Sequence, residues 1–444
     1  MQTQPRATPT GWKHALRFDA ASELENATAL IESGQFDFDA LDLANSGLKP
    51  AAVDQLAAWP SLATFSEVDL SLNRFGAKGH RALMGSEYLA VERLAIVDTK
   101  IAKGTFQAMQ KGLAGLKLLR SLVMGFGESG SGKTDVAWWS LLGDAPLQQL
   151  HELVIDRWAA PAHKVGDHIK ALAAMPLLDR LTSLHLVGLE LGTNLKAIAK
   201  PGLSRLAISS CGAVAGRLAK VDNLLALRHL HLHGARPGDA GVKKLVNAPF
   251  APQLETLDLR NNLGIKGSCF KNWPDDVAPK KLAIGNRELD TAKLASWPQL
   301  RNVESLSLRT CGGFARLDPV LSSEALCSVV ELQLGANRVD RDKIGPLATS
   351  EELPKLEMLG LRGANLRDEM LDELASAPWA QQIRVVDLRA NKQLDASAVA
   401  AFCEALPSLE YVCVDQAHDR PEDDRVVSRV GGALEMLPPP HSRQ

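Results

Sequence analysis

The sequence predicts an α/β solenoid, a chain wound into coils that each contain a strand, a turn, a helix and a return. Three observations carry this. An apolar template recurs along nearly the whole chain, a small polar residue recurs at one fixed place within it, and prolines recur at a fixed distance before it. A pattern of this kind describes units that cannot bury their own hydrophobic face and must stack to do so.

The template is plainest from Phe65 to Phe75. Apolar residues follow the first at +3 (Val68), +5 (Leu70) and +10 (Phe75), with Asn73 at +8. It fits again from Val329, with Leu332, Leu334, Asn337 and Val339, and from Val91, with Leu94, Ile96, Thr99 and Ile101. Sliding it along the chain gives fifteen anchors: Phe38, Phe65, Val91, Leu119, Leu150, Leu181, Leu203, Leu227, Leu254, Pro279, Val303, Val329, Leu356, Ile383 and Leu409, spaced 26.5 residues on average. Every +3 and +5 position is Leu, Ile, Val or Met. The alternation around them is that of a short strand with one buried face.

At +8 the chain turns inside the coil, and Asn73, Asn262, Asn337 and Asn391 stand there, as do Ser46, Thr99, Cys211 and Cys311. Asparagine suits such a place because its amide imitates backbone hydrogen bonding. Trp158, Leu189 and Arg287 break the pattern and predict irregular turns. Helical spacing precedes the anchors, as in Val242, Leu245 and Val246 or Met370, Leu371 and Leu374, and Pro60, Pro176, Pro249, Pro298 and Pro378 lie five residues before an anchor. Proline cannot continue a helix, so each ends one and begins the return.

Segments such as Leu254–Asn262 (LETLDLRNN) and Val329–Asn337 (VVELQLGAN) resemble the leucine-rich-repeat family, nearest its ribonuclease-inhibitor-like subclass. The resemblance implies a right-handed horseshoe with a parallel sheet on the concave face and helices on the convex face. It also implies binding of other proteins through the concave face. The expected organisation is a disordered leader at 1–12, a helical cap at 13–37 (Ala21 to Ser33 has helical character), repeats over 38–416, and a cap with a disordered tail at 417–444.

Composition sets limits on function. The 444 residues are 45% hydrophobic and 23% charged with a formal charge of −2, so no basic excess points to nucleic acid. Aromatic content is 5%, which suits many small layers better than one large core. Six scattered cysteines show no paired spacing, and no apolar run reaches the ~18 residues that span a bilayer. The expectation is a cytoplasmic, monomeric, non-catalytic scaffold that recognises a protein, with no cofactor and neither nucleic acid nor membrane as partner.

Three constellations bear on chemistry. Gly127–Thr134 (GESGSGKT) matches the phosphate-loop pattern, with Gly127 and Gly132 offering backbone amides, Lys133 neutralising phosphate and Thr134 holding magnesium. Gly127 also falls at +8 of a unit 31 residues long, where a polar insertion reads as tolerated loop length. A nucleotide site in an open sheet forms where strand order reverses, and a solenoid never reverses. Phosphate binding is therefore the alternative reading, and self-assembly another.

The second constellation is the +6 row, which reads Arg260, Gly285, Arg309, Gly335, Arg362 and Arg389. Strands about 4.8 Å apart would place alternate arginines roughly 10 Å apart, a basic stripe suited to carboxylates or phosphates. Asp258 and Asp387, two residues before Arg260 and Arg389, offer internal pairing at both ends instead. The third is His229, His231 and His233, alternate residues of one strand, with His185 two strands away. They read as solvated imidazoles and not as a metal site.

Overall fold

In a computed structural model of the chain, residues 2–8, 11–17, 23–35, 37–97, 99, 103–125, 142, 147–156, 165–188, 191, 195–339, 344–414 and 426–428 are described. They form two compact units, one holding residues up to Cys211 with Asn223–Leu225, the other Gly212–Asp222 and the residues from Ala226 onward. All fifteen anchored stretches form strands. In the first unit these are β3 (Phe38–Asp42), β4 (Glu67–Asp69), β5 (Arg93–Ile96), β6 (Ser121–Gly125), β7 (Glu152–Asp156), β8 (Ser183–Val187) and β9 (Arg205–Ser209). In the second they are β10 (His229–His233), β11 (Thr256–Asp258), β12 (Lys281–Ala283), β13 (Ser305–Ser307), β14 (Glu331–Gln333), β15 (Met358–Gly360), β16 (Val385–Asp387) and β17 (Tyr411–Val414).

Within each unit neighbouring strands are parallel and the repeat stays in register. Leu41 pairs with Val68 and Val68 with Leu94 in the first unit. Leu257, Leu282, Leu306, Leu332, Leu359 and Val386 follow one another in the second. The register repeats because a slip of one residue would turn every +3 and +5 side chain to the other face. Those side chains are buried in all fifteen coils.

Three strands stand outside the repeat. β1 (Gln2–Thr8) and β2 (Gly11–Arg17) form an antiparallel hairpin, and β2 runs parallel to β3. β18 (Val426–Ser428) lies parallel to β17. A disordered leader at 1–12 and a cap with a disordered tail were expected there. A short hairpin has no period to announce it, and its strands mix polar and apolar residues without strict alternation. A helix, Leu24–Glu32, lies within the stretch where a cap was expected.

The prolines act as expected, with one refinement. Pro60, Pro176 and Pro298 begin 3-10 turns that lead back to the next strand. Pro249 and Pro378 follow the helices Gly238–Val246 and Asp368–Ala375, whose buried residues include Val242, Leu245 and Val246, and Met370, Leu371 and Leu374. Not every coil keeps a full helix. The coil of β11 carries only the 3-10 turn Phe270–Asn272, stacked on Trp273 at 5.5 Å.

The turn after each strand is where the polar +8 residue works. The Nδ2 of Asn73 donates to the carbonyls of Leu43 in the preceding coil (2.6 Å) and Leu70 in its own (3.0 Å), while its Oδ1 accepts from the Leu48 amide (2.9 Å). Asn262, Asn337 and Asn391 repeat this pattern. Cys211 reaches the same carbonyl of the preceding coil, Leu186, at 3.4 Å. The residue before the ladder, at +7, has left-handed backbone at Asn45, Leu72, Ser210, Asn261, Thr310, Ala336 and Ala390, with φ between 53° and 63°. That costs about 1 kcal/mol or more for a non-glycine residue. After Leu72, Asn261, Ala336 and Ala390 the turn places the buried asparagine amide of the next residue, whereas Ser46, Cys211 and Cys311 follow the other three. The coil of Arg287, expected to be irregular, is so: Asn286 stands one place early, donates to Ile265 and has no left-handed residue beside it. Trp158 and Leu189 lie outside the described residues.

Candidate functional site

The strand face opposite the helices carries the side chains that stacking does not dictate, at +2, +4 and +6. In the second unit the +6 row is the arginine row. At its two ends the arginines turn back on their own strands. Arg260 grips Asp258 through Nε (3.0 Å) and Nη2 (2.7 Å), and Arg389 grips Asp387 through Nε (2.7 Å) and Nη2 (2.5 Å). Each aspartate also accepts the backbone N–H of its arginine, at 3.0 and 3.1 Å. Burial alone would raise the Asp258 carboxyl, but the Arg260 guanidinium and His231 beside it hold it well below the usual carboxylate range. Both ends of the stripe are therefore internally paired.

The middle of the row is built differently. The place that Asp258 and Asp387 occupy on their strands belongs to Ser307 on β13 and Gly360 on β15. Arg309 extends toward the next strand instead, and its Nε lies 3.3 Å from where a Cβ on Gly335 would stand. The Gln333 side chain similarly lies across Gly360, where a Cβ would collide with its amide. At Gly285 a Cβ would run into the Arg309 carbonyl oxygen. The glycines of the row thus hold strands close and let side chains cross over them. Arg362 is half-buried and forms no ion pair among the described residues. Ser307 is buried with an Oγ that has no hydrogen-bond partner.

A second charged row, at +1, lies at the starting end of the same strands. It reads Arg228, Glu255, Lys280, Glu304, Val330, Glu357, Arg384 and Glu410. Lys280 donates to Glu304 at 3.0 Å, and Arg384 reaches Glu357 at 3.3 Å and Glu410 at 2.5 Å. The signs alternate except at Val330. Neither this row nor its gap was singled out from the sequence, although the alternation at a fixed template position was there to be found.

Of the three histidines, expected to be solvated, His231 is buried, whereas His229 and His233 stay part-exposed. Each meets the neighbouring coil: His229 Nδ1 bonds Thr256 Oγ1 (3.0 Å), His231 Nδ1 lies 3.5 Å from Asp258 Oδ2, and Asn261 Nδ2, in the turn after β11, donates to His233 Nε2 (2.5 Å). Two of the partners, Thr256 and Asp258, stand on β11 and the third, Asn261, in the turn that follows it. Among the described residues no group of three or more metal-ligating side chains comes together. Gly127, Gly132, Lys133 and Thr134 lie outside the described residues.

No family model matches the chain. It is 29% identical over 307 residues to ribonuclease inhibitor of Mus musculus, covering 62% of this chain and 64% of that protein, so the match spans less than two thirds of the relative. The fold is that of a leucine-rich-repeat α/β solenoid.

Two solved structures are also similar at a distance. One is the Rad7 and Elc1 complex of yeast, at 15% identity and a TM-score of 0.45 over 94% of this chain and 87% of that one. The other is an internalin from Listeria monocytogenes, at 14% identity and a TM-score of 0.30 over 90% of each. No helix among the described residues of this leucine-rich-repeat chain is long and apolar enough to cross a membrane.

Proposed function

We propose that the chain is a non-catalytic scaffold that binds another protein through the strand face of its second unit, β10–β17. The observation that carries this reading is the division of labour within each repeat. The +3, +5 and +8 residues are committed to stacking, whereas the middle of the +6 row presents Arg309 and Arg362 across a glycine floor without the strand-mate aspartates that hold Arg260 and Arg389. A guanidinium placed this way suits a carboxylate from a partner, through a pair of parallel hydrogen bonds. The name of the similar mouse protein, an inhibitor of ribonuclease, supports a protein as the ligand class. The described cysteines are free thiols, five of them buried, which fits a reducing compartment.

The test is charge reversal. Partners are captured with the purified chain and identified by mass spectrometry, and the capture is repeated with the Arg309→Glu/Arg362→Glu double variant. The expected result is loss of a partner with the melting temperature of the chain nearly unchanged. Retention of every partner by a folded double variant overturns the reading.

A further inference from the structure

The outward strand face changes character across the second unit. At +2 it is polar from β11 to β14, where Thr256, Lys281, Ser305 and Glu331 stand, and apolar from β15 to β17, where Met358, Val385 and Tyr411 stand. Met358 is opposite Val385 and Val385 opposite Tyr411, so the three form one patch about 10 Å across. Stacking does not call for them, because Leu359, Val386 and Val412 already fill the core from the other side of the same strands. Val385 is the buried floor between half-buried Met358 and Tyr411. The edge of the patch carries charge that is already satisfied, with Arg384 reaching Glu357 at 3.3 Å and Glu410 at 2.5 Å. An apolar centre inside a polar rim is the make-up of a recognition surface. Arg362 lies four residues beyond Met358 on the same face. The Leu361 amide donates to the Asp387 carbonyl and the Gly363 amide to that of Arg389, so the extended run continues past β15 and Met358, Gly360 and Arg362 point to one side. Arg362 is half-buried, and its guanidinium makes no hydrogen bond or ion pair among the described residues.

We infer that an extended protein segment docks along β15, with a large apolar side chain on the Met358–Val385–Tyr411 patch and a carboxylate on Arg362. The inference rests on the scaffold reading above and adds the partner's chemistry. The two contacts lie about 13 Å apart, which is the spacing of residues four apart in an extended segment, and such residues share a face. The apolar contact supplies affinity by removing surface of both partners from water. The carboxylate fixes the register, because it meets the guanidinium through a pair of parallel hydrogen bonds. A nucleic-acid backbone fits poorly, since Glu331, Glu357 and Glu410 outnumber Arg384 around the patch. An acid set on the patch meets those carboxylates and an apolar floor, which rejects the reverse placement.

Selection of a displayed library of random short peptides on the intact chain tests this. Enriched peptides should pair a large apolar residue with an aspartate or glutamate four positions away. Their binding should fall about tenfold in Arg362→Gln and about fivefold in Met358→Gln. The same peptide with its acid changed to the corresponding amide should be indifferent to Arg362→Gln and still respond to Met358→Gln. A folding defect cannot produce that pairing of effects. Enrichment of peptides without the apolar–acid pair, failure to enrich any, or equal loss of the acid and amide peptides in Arg362→Gln overturns the inference. If captured protein partners are lost with Arg309→Glu/Arg362→Glu but stay bound to Met358→Gln, the scaffold reading stands and docking along β15 falls.

Discussion

Replacing Asn337 with alanine tests the ladder that holds coil to coil. The amide donates to the carbonyls of Leu308 at 2.7 Å and Leu334 at 2.8 Å and accepts from the Gly312 N–H at 3.2 Å. Truncation leaves two buried carbonyl oxygens without these donors. An unsatisfied buried group costs about 1–3 kcal/mol, so the variant should lose about 3–5 kcal/mol. In a repeat protein the loss falls on the interface between two coils, which weakens cooperativity as well as the midpoint. Guanidinium denaturation followed by tryptophan fluorescence and by far-UV circular dichroism reads both, since the two probes should cease to coincide. Asn337→Cys is the informative companion. Cys211 occupies the equivalent place and reaches the Leu186 carbonyl at 3.4 Å, so cysteine should recover part of the loss. A cost below about 1 kcal/mol for Asn337→Ala, or no gain with cysteine, refutes the claim that hydrogen bonding and not space-filling selects the +8 residue.

Three other outcomes follow from the same geometry. His80 is buried with Nδ1 donating to the Gly76 carbonyl and Nε2 accepting from Thr99, and burial lowers its pKa from 6.5 to about 4. The neutral form is the folded form, so its stabilisation is complete above pH 6.5 and fades as pH falls from 6.5 toward 4, by about 3 kcal/mol in all. His80→Gln should flatten that part of a stability–pH curve, and an unchanged slope counts against the assignment. Asp239 accepts from the amides of Lys266, Gly267 and Ser268 and from Ser268 Oγ. Burial opposes its ionisation, but these donors hold its carboxyl below the usual range, so the stabilisation is present at neutral pH and lost as pH falls through the acid range. Asp239→Asn should cost about 1–2 kcal/mol at pH 7 and less as the pH is taken below the ordinary carboxylate range, as thermal melts across that range would reveal. Gly285→Ala drives a methyl into the Arg309 carbonyl and should destabilise by about 1–3 kcal/mol, whereas a neutral result in chemical denaturation would mean the strands part freely there.

The repeat was legible because its cause is local and recurrent. Each +3 and +5 residue faces the same stacked core, so Leu257, Leu282 and Leu306 announce a common wall before any contact is known. The asparagine ladder was legible for the same reason. The left-handed residue at +7 was not, because Leu72 and Ala336 adopt a conformation that their side chains do not favour and the amide that compensates sits on the next residue. The fate of the histidines depended on what β11 presents to β10, a cross-strand fact. The hairpin of β1 and β2 forms once and has no second copy to reveal it.

The arginine row shows why a proposed binding surface is harder to read than its scaffold. Its spacing was visible, but identical residues at identical template positions meet different neighbours. Arg260 and Arg389 fold back because aspartate stands two residues earlier, and Arg389 is buried in the process. Arg309 reaches across because Gly335 leaves room, and a side chain there would deny it the path. Arg362 has Arg389 as its neighbour in the next coil, and the inward turn of Arg389 onto Asp387 removes what would otherwise be adjacent like charges. The glycines and aspartates therefore decide which arginines fold back on their own strand and which reach across to the next. A change at Gly335 or Asp387 should alter partner choice as strongly as a change at an arginine, because it acts on where the charge is held.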